Sequence, residues 1–146
     1  MDIRKMTIAD YDDVYALWLS CKGMGINDLD DSKEGIEKFL NRNPSTCFAA
    51  VENGELIGTI IAGNDGRRGY IYHTAVSPKR RYEGIGKALV ETAMSALENE
   101  GINKAALVVF ERNKDGNAFW EKIGFTIRND LTYRNRNIKE MVKIDT

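Results

Sequence analysis

The chain has 146 residues, 42% of them hydrophobic and 29% charged, with a formal net charge of −1, which suits one globular domain over residues 1–146. That balance provides no overall field to hold nucleic acid, although short basic clusters occur at Arg67-Arg68, Lys79–Arg81 and Arg134 with Arg136. The charged opening MDIRKMTIAD lacks a signal peptide's apolar run, and no stretch approaches the roughly 20 apolar residues of a membrane span. Cys21 and Cys47, too few for a disulfide scaffold, read as reduced core fillers. The expectation is a cytoplasmic protein with neither a membrane nor a nucleic-acid partner; a homodimer stays open.

In chain order, IRKMT predicts a short strand, and YDDVYALWLSC a helix with Tyr11, Val14, Tyr15, Leu17, Trp18 and Cys21 on one face. Gly23 and Gly25 end it. The acidic loop INDLDDS follows, and Asp31 or Ser32 caps a second helix that runs to about Asn41. The period then changes. CFAAV and LIGTIIAG are apolar and β-branched, and Asn53-Gly54 between them signals a hairpin turn. YIYHTAV predicts a third strand ending at Ser77-Pro78. GIGKALVETAMSALENEG places Ile85, Ala88, Leu89, Ala93, Ala96 and Leu97 at helical spacing. KAALVVF reads as a buried strand, NAFWEKIG as a short helix, and FTIRN and EMVKI as two closing strands. The order β-α-α-β-β-β-α-β-α-β-β predicts an α/β (α+β) fold with a mixed sheet of about seven strands and four helices.

Residues 70–89, YIYHTAVSPKRRYEGIGKAL, carry the chemistry. A strand runs into a basic turn with glycines at 84 and 86, and the turn opens into an amphipathic helix. The first amides of a helix lack intrahelical partners and sit at its positive end, so a glycine-lined helix start flanked by Lys79, Arg80 and Arg81 suits a pyrophosphate. A P-loop fails here, because its first glycine would be Arg81 and its Ser/Thr would be Ala88. A dinucleotide fingerprint fails because position 89 is Leu. Arg81-Tyr82-Glu83-Gly84-Ile85-Gly86 instead resembles the R/Q-x-x-G-x-G/A acyl-CoA loop of the GNAT superfamily of N-acetyltransferases. Downstream, the stretch from Asn113 to Phe125, NKDGNAFWEKIGF, is similar in register to that family's N-x-x-A-x-x-F-Y-E-K-x-G-F signature, and the element order also matches a GNAT fold.

The resemblance implies acetyl-CoA as co-substrate and a small-molecule or protein amine as acceptor. It implies that the pantetheine arm lies between the strands YIYHTAV and KAALVVF, against backbone groups of Thr74 and Val76. The Thr74 amide would donate to the thioester carbonyl, where negative charge develops. Backbone amides from Arg81 to Lys87 would hold the pyrophosphate, and Asn113 and Trp120 would border the cofactor's other side. The base in related enzymes occupies positions matching 70 and 72, but both are tyrosine here, a poor base at neutral pH. The usual acid position is Trp120, whose indole has no acidic proton. Tyr72, Tyr70 or Tyr133 are the residues left for these tasks.

Strand alternation puts Tyr70, Tyr72 and Thr74 on one face and Ile71, His73 and Ala75 on the other. His73, the sole histidine, is thereby expected to play a structural or cofactor-edge part. It stands without the clustered ligands a metal site needs. Asp28, Asp30 and Asp31 either draw a cationic amine or form a solvated face, the weightier reading. A non-catalytic acyl-CoA sensor is the rival class, favoured by Tyr70, Tyr72 and Trp120.

Overall fold

A left-handed pair of residues organises the centre of the sheet. In the computed structural model, which describes residues 1–144, Asn53 and Gly54 both take positive φ (52° and 77°). That geometry matches the twist of a two-residue hairpin, so strands β3 (Phe48–Glu52) and β4 (Glu55–Asn64) pair antiparallel across it. β1 (Asp2–Lys5) adds beside β3, and β5 (Gly69–Val76) beside β4. A two-residue strand, β6 (Ala105–Ala106), pairs with β5 in parallel, which makes the sheet mixed, in the order β1-β3-β4-β5-β6. A separate ribbon joins β2 (Ile26–Asn27) to β7 (Lys143–Ile144).

Helices cover both faces because β4 is apolar on both. Ile60 and Ala62 pack toward α3 (Ile85–Asn99), with Leu89, Val90, Ala93 and Leu97. Ile61 packs on the opposite side against α1 (Tyr11–Ser20) and α2 (Lys33–Arg42), with Val14, Leu17, Trp18, Ile36 and Leu40. α4 (Lys114–Lys122) lies over the α3 side through Phe119 and Trp120. Cys21 and Cys47 are free and buried, and burial pushes the Cys47 thiol up to about 12, so it stays protonated within the core. Among the described residues, no helix is long and apolar enough to cross a membrane.

Among the described residues seven strands and four α-helices are present, yet the chain departs from the expected order in two places. β2 forms inside the acidic loop, between α1 and α2. Residues 125–129, FTIRN, form no strand: Gly124 (φ 98°) turns the chain, and the Phe125 amide donates to the Trp120 carbonyl at 2.9 Å. Nor is KAALVVF buried. Residues 104–110 alternate between exposed and half-buried, since β6 is the sheet's edge and leaves its only neighbour after two pairs. FTIRN consequently has no continuing ladder to join.

Candidate acyl-transfer site

The site is built around a defect in β5. Ile60 faces Thr74 and Ala62 faces Ile71, so Tyr72 and His73 together stand opposite Ile61 alone. Two residues against one is a β-bulge, which bends the strand and shifts its alternation. Ile71 packs on the α3 side, as does Ile60, the partner of Thr74; Ala75 packs on the α1/α2 side. Tyr72 meets Phe39 of α2 at 5.5 Å, and His73 meets Trp18 of α1 at 4.7 Å. The expected faces are therefore corrected: His73 and Ala75 share the face of Tyr72, and Thr74 belongs to the other with Ile71.

The bulge follows directly on Tyr70↔Ala106, the last pair between β5 and β6. Bending there carries β5 away from its parallel neighbour. Beyond that pair, the β5 edge through Thr74 and Val76 has no strand partner among the described residues. The Thr74 hydroxyl is buried with no hydrogen-bond partner among them.

At the end of β5 the chain turns through Pro78–Arg80 into α3. Tyr82 (φ 63°) and Gly84 (φ 81°) are both left-handed; for tyrosine this costs on the order of 1 kcal/mol and marks a constrained loop. Gly84 is the N-cap of α3, makes no side-chain cap, and has open space where a Cβ would stand. The first amides of a 15-residue helix, through Ile85, Gly86 and Lys87, thus face an unobstructed approach. These features fit a pyrophosphate group. Arg80 does not add free charge, contrary to expectation. Its guanidinium holds both Glu83 oxygens (Nε at 3.1 and 3.0 Å) and an oxygen of Glu52, tying the loop to the β3–β4 hairpin. Bonds to Arg80 hold both carboxyls below their ordinary range. Lys79 and Arg81 remain exposed, while Lys87 lies 3.9 Å from Glu91.

Asn113 caps α4: its side-chain oxygen accepts from the Gly116 amide at 2.9 Å. Gly116 is explained by the same bond, because a Cβ there would lie 2.5 Å from the Asn113 amide nitrogen. Trp120 sits between Phe119 and Phe125, with ring centroids 5.0 and 5.1 Å away.

On the α1/α2 side, the acidic loop is a framework. The Asp28 carboxylate accepts from the Val142 amide, and Asp31 Oδ2 accepts from the Asn27 amide at 2.8 Å. Asp31 Oδ1 lies 2.7 Å from His73 Nε2, and both side chains are nearly buried. The pair bolts the loop to the bulge, a link between residues 42 positions apart that no sequence signal announced. Ser32, one of the two expected caps, accepts from the Gly35 amide. Gly35 leaves room for the loop: a Cβ there would stand 2.3 Å from the Leu29 carbonyl oxygen. The Tyr70 and Tyr72 rings meet at a tilt of 46° with centroids 4.6 Å apart, and burial first, then neighbouring phenols and, for Tyr72, the Asp30 carboxylate, raises both phenols above their usual range. Tyr133, 66% exposed in the irregular C-terminal segment, belongs to the same electrostatic group.

An opened parallel edge beside an uncapped, glycine-lined helix start defines an α/β domain suited to a pantetheine-bearing cofactor. The model of the acetyltransferase (GNAT) family matches residues 11–125, and this chain belongs to that family. It is 31% identical over 140 residues to an acetyltransferase of Pectobacterium atrosepticum, covering 96% of this chain and 98% of the relative. PaiA N-acetyltransferase from Thermoplasma acidophilum, solved with coenzyme A, superposes with a TM-score of 0.76 at 23% identity, covering 87% of this chain and 90% of that one. An aminoglycoside antibiotic 6'-N-acetyltransferase from Acinetobacter haemolyticus gives 0.73 at 17% identity, covering 95% and 100%. The structural likenesses establish the fold. Family membership makes the chain an acetyl-CoA-dependent acyltransferase.

Proposed function

We propose that the protein is an N-acetyltransferase acting on a primary amine carried by a small molecule or a protein. The carrying observation is one juxtaposition: the open edge of β5 beside the uncapped start of α3, with two phenols in contact on the strand's α1/α2 side. Bound acetyl-CoA supplies an acetyl thioester. In this reading the amides from Arg81 through Tyr82, Glu83, Gly84, Ile85 and Gly86 to Lys87 receive the pyrophosphate, and Gly84 keeps the approach clear. Backbone groups of Thr74 and Val76 align the pantetheine arm, and the Thr74 amide donates to the thioester oxygen. Asn113 and Trp120 border the cofactor from α4.

Tyr72, helped by Tyr70 and Tyr133, orders the amine or a water in the cleft. Raised pKa values keep Tyr70 and Tyr72 protonated at neutral pH, so they donate hydrogen bonds, and a proton to the departing thiolate, and are not bases. The amine accordingly loses its proton to solvent, directly or through ordered water. Both solved relatives described above are N-acetyltransferases by name, which supports an amine acceptor. The rival reading, a non-catalytic acyl-CoA sensor, draws on Trp120, an indole packed among phenylalanines where an acid would stand. Incubation with acetyl-CoA and a panel of amines, followed by free thiol release, decides between them. Amine-dependent release supports transfer; cofactor binding without release establishes the sensor.

A further inference from the structure

We infer that Arg80 is a positioning residue of the cofactor site, one that holds the Glu83 carboxylate away from the start of α3. The inference rests on the pyrophosphate reading of that helix start given above. Glu83 immediately precedes Gly84, the N-cap of α3, and among the described residues no side chain caps the helix. A carboxylate at that place is drawn to the same amides and the same positive helix end that suit a phosphate. Left free, Glu83 would compete with the cofactor from within its own binding loop. It is not free. The Arg80 Nε donates to both Glu83 oxygens, at 3.1 and 3.0 Å, and Nη2 donates to Oε1 at 2.9 Å.

The backbone and the hairpin both support that hold. Tyr82 (φ 63°) and Gly84 (φ 81°) flank Glu83 with left-handed residues. The Tyr82 ring is fully exposed, so no packing holds its backbone there, and the Arg80–Glu83 bond closes the loop across it. Arg80 is itself anchored, because its Nη2 also meets Glu52 Oε2 at the end of β3. Glu52 fixes the guanidinium to the sheet, and the guanidinium in turn fixes Glu83. Exposed ion pairs add little to stability, so the effect of this network should appear in cofactor binding. Lys79 and Arg81 are exposed on either side of Arg80, so the basic turn gives one of its three charges to Glu83 and keeps two.

Calorimetry with acetyl-CoA on the full chain tests this through a double-variant cycle. Arg80→Met should weaken acetyl-CoA about tenfold in the parent, because Glu83 is released to the helix start. The same change made in Glu83→Gln should cost less than about twofold, because no carboxylate is then set loose. A merely structural part for Arg80 would cost the same in both backgrounds. Arg80→Lys should give an intermediate loss, since an ammonium lacks the planar fork that holds two carboxylate oxygens. Should the methionine variant fail to fold, the lysine variant carries the same comparison at a smaller margin. Equal losses in the two backgrounds, or unchanged affinity in Arg80→Met while Gly84→Asp still loses it, would overturn the inference and leave the pyrophosphate reading standing. Unchanged affinity in both Arg80→Met and Gly84→Asp would sink that reading, and the inference with it.

Discussion

The two sides of β5 are made by different means. Toward α3 the candidate site consists of backbone: helix-start amides, a strand edge, and Gly84, which leaves open space where a side chain would stand. Toward α1 and α2 it consists of side chains gathered from distant segments, Trp18, Asp31, Phe39, Tyr72 and His73. A cofactor common to a whole family asks for main-chain geometry, which tolerates variation elsewhere. An acceptor peculiar to each enzyme asks for a surface that can be rewritten residue by residue. The comparison teaches that damage to one side should spare the other.

The largest effect is expected from Gly84→Asp, which sets a carboxylate at the anion site and a side chain on a left-handed residue. Acetyl-CoA affinity should fall about a hundredfold, roughly 3 kcal/mol, with little change in the fold. Unchanged affinity by calorimetry would remove the loop from the site.

Next in size is the response to pH on the acceptor side. With no base at positions 70 or 72, kcat/KM should rise about tenfold per pH unit until the acceptor's own pKa is neared. The Tyr70 and Tyr72 phenols ionise only above their ordinary pKa, so no inflection near neutrality belongs to them. For two acceptors of different pKa the inflection should move with the acceptor. An inflection fixed between about pH 6 and 7 for both would make His73 the base.

His73→Ala should act through structure. It leaves Asp31 buried without its partner and opens space beside Trp18, costing about 1–3 kcal/mol in denaturant unfolding. KM for the amine should rise while acetyl-CoA affinity holds. Loss of acetylation in a folded, cofactor-binding variant with unchanged KM would show instead that the imidazole takes part in proton transfer.

Gly116→Ala is expected to be the smallest. Alanine gains about 1 kcal/mol of helix propensity, yet its Cβ displaces the Asn113 cap, worth about the same. Thermal unfolding should barely move, and a clear gain would show that the cap contributes little.

How much was legible follows the same division. The hairpin, the four helices and the loop from Arg81 to Gly86 could be read in advance, because turn residues, helical periods and a glycine-bearing helix start are local properties of the chain. The faces of β5 could not. Strict alternation held as far as Tyr72, and one extra residue then sent His73, Thr74 and Ala75 to the faces opposite those expected. A bulge is a matter of register between two strands, and nothing in YIYHTAV alone specifies it.

The remaining departures share that cause. KAALVVF has the composition of a buried strand, but burial depends on a neighbour, and β5 bends away after Ala106. Arg80 reads as free charge until the fold brings Glu52 across to it. By itself the sequence determined the hairpin, the four helices, the glycine-bearing turn into α3 and the family, all carried by short-range spacing. Only the tertiary structure decided which side chains meet on the α1/α2 side of β5, since contacts such as Asp31 to His73 join residues whose separation along the chain is bridged solely by packing.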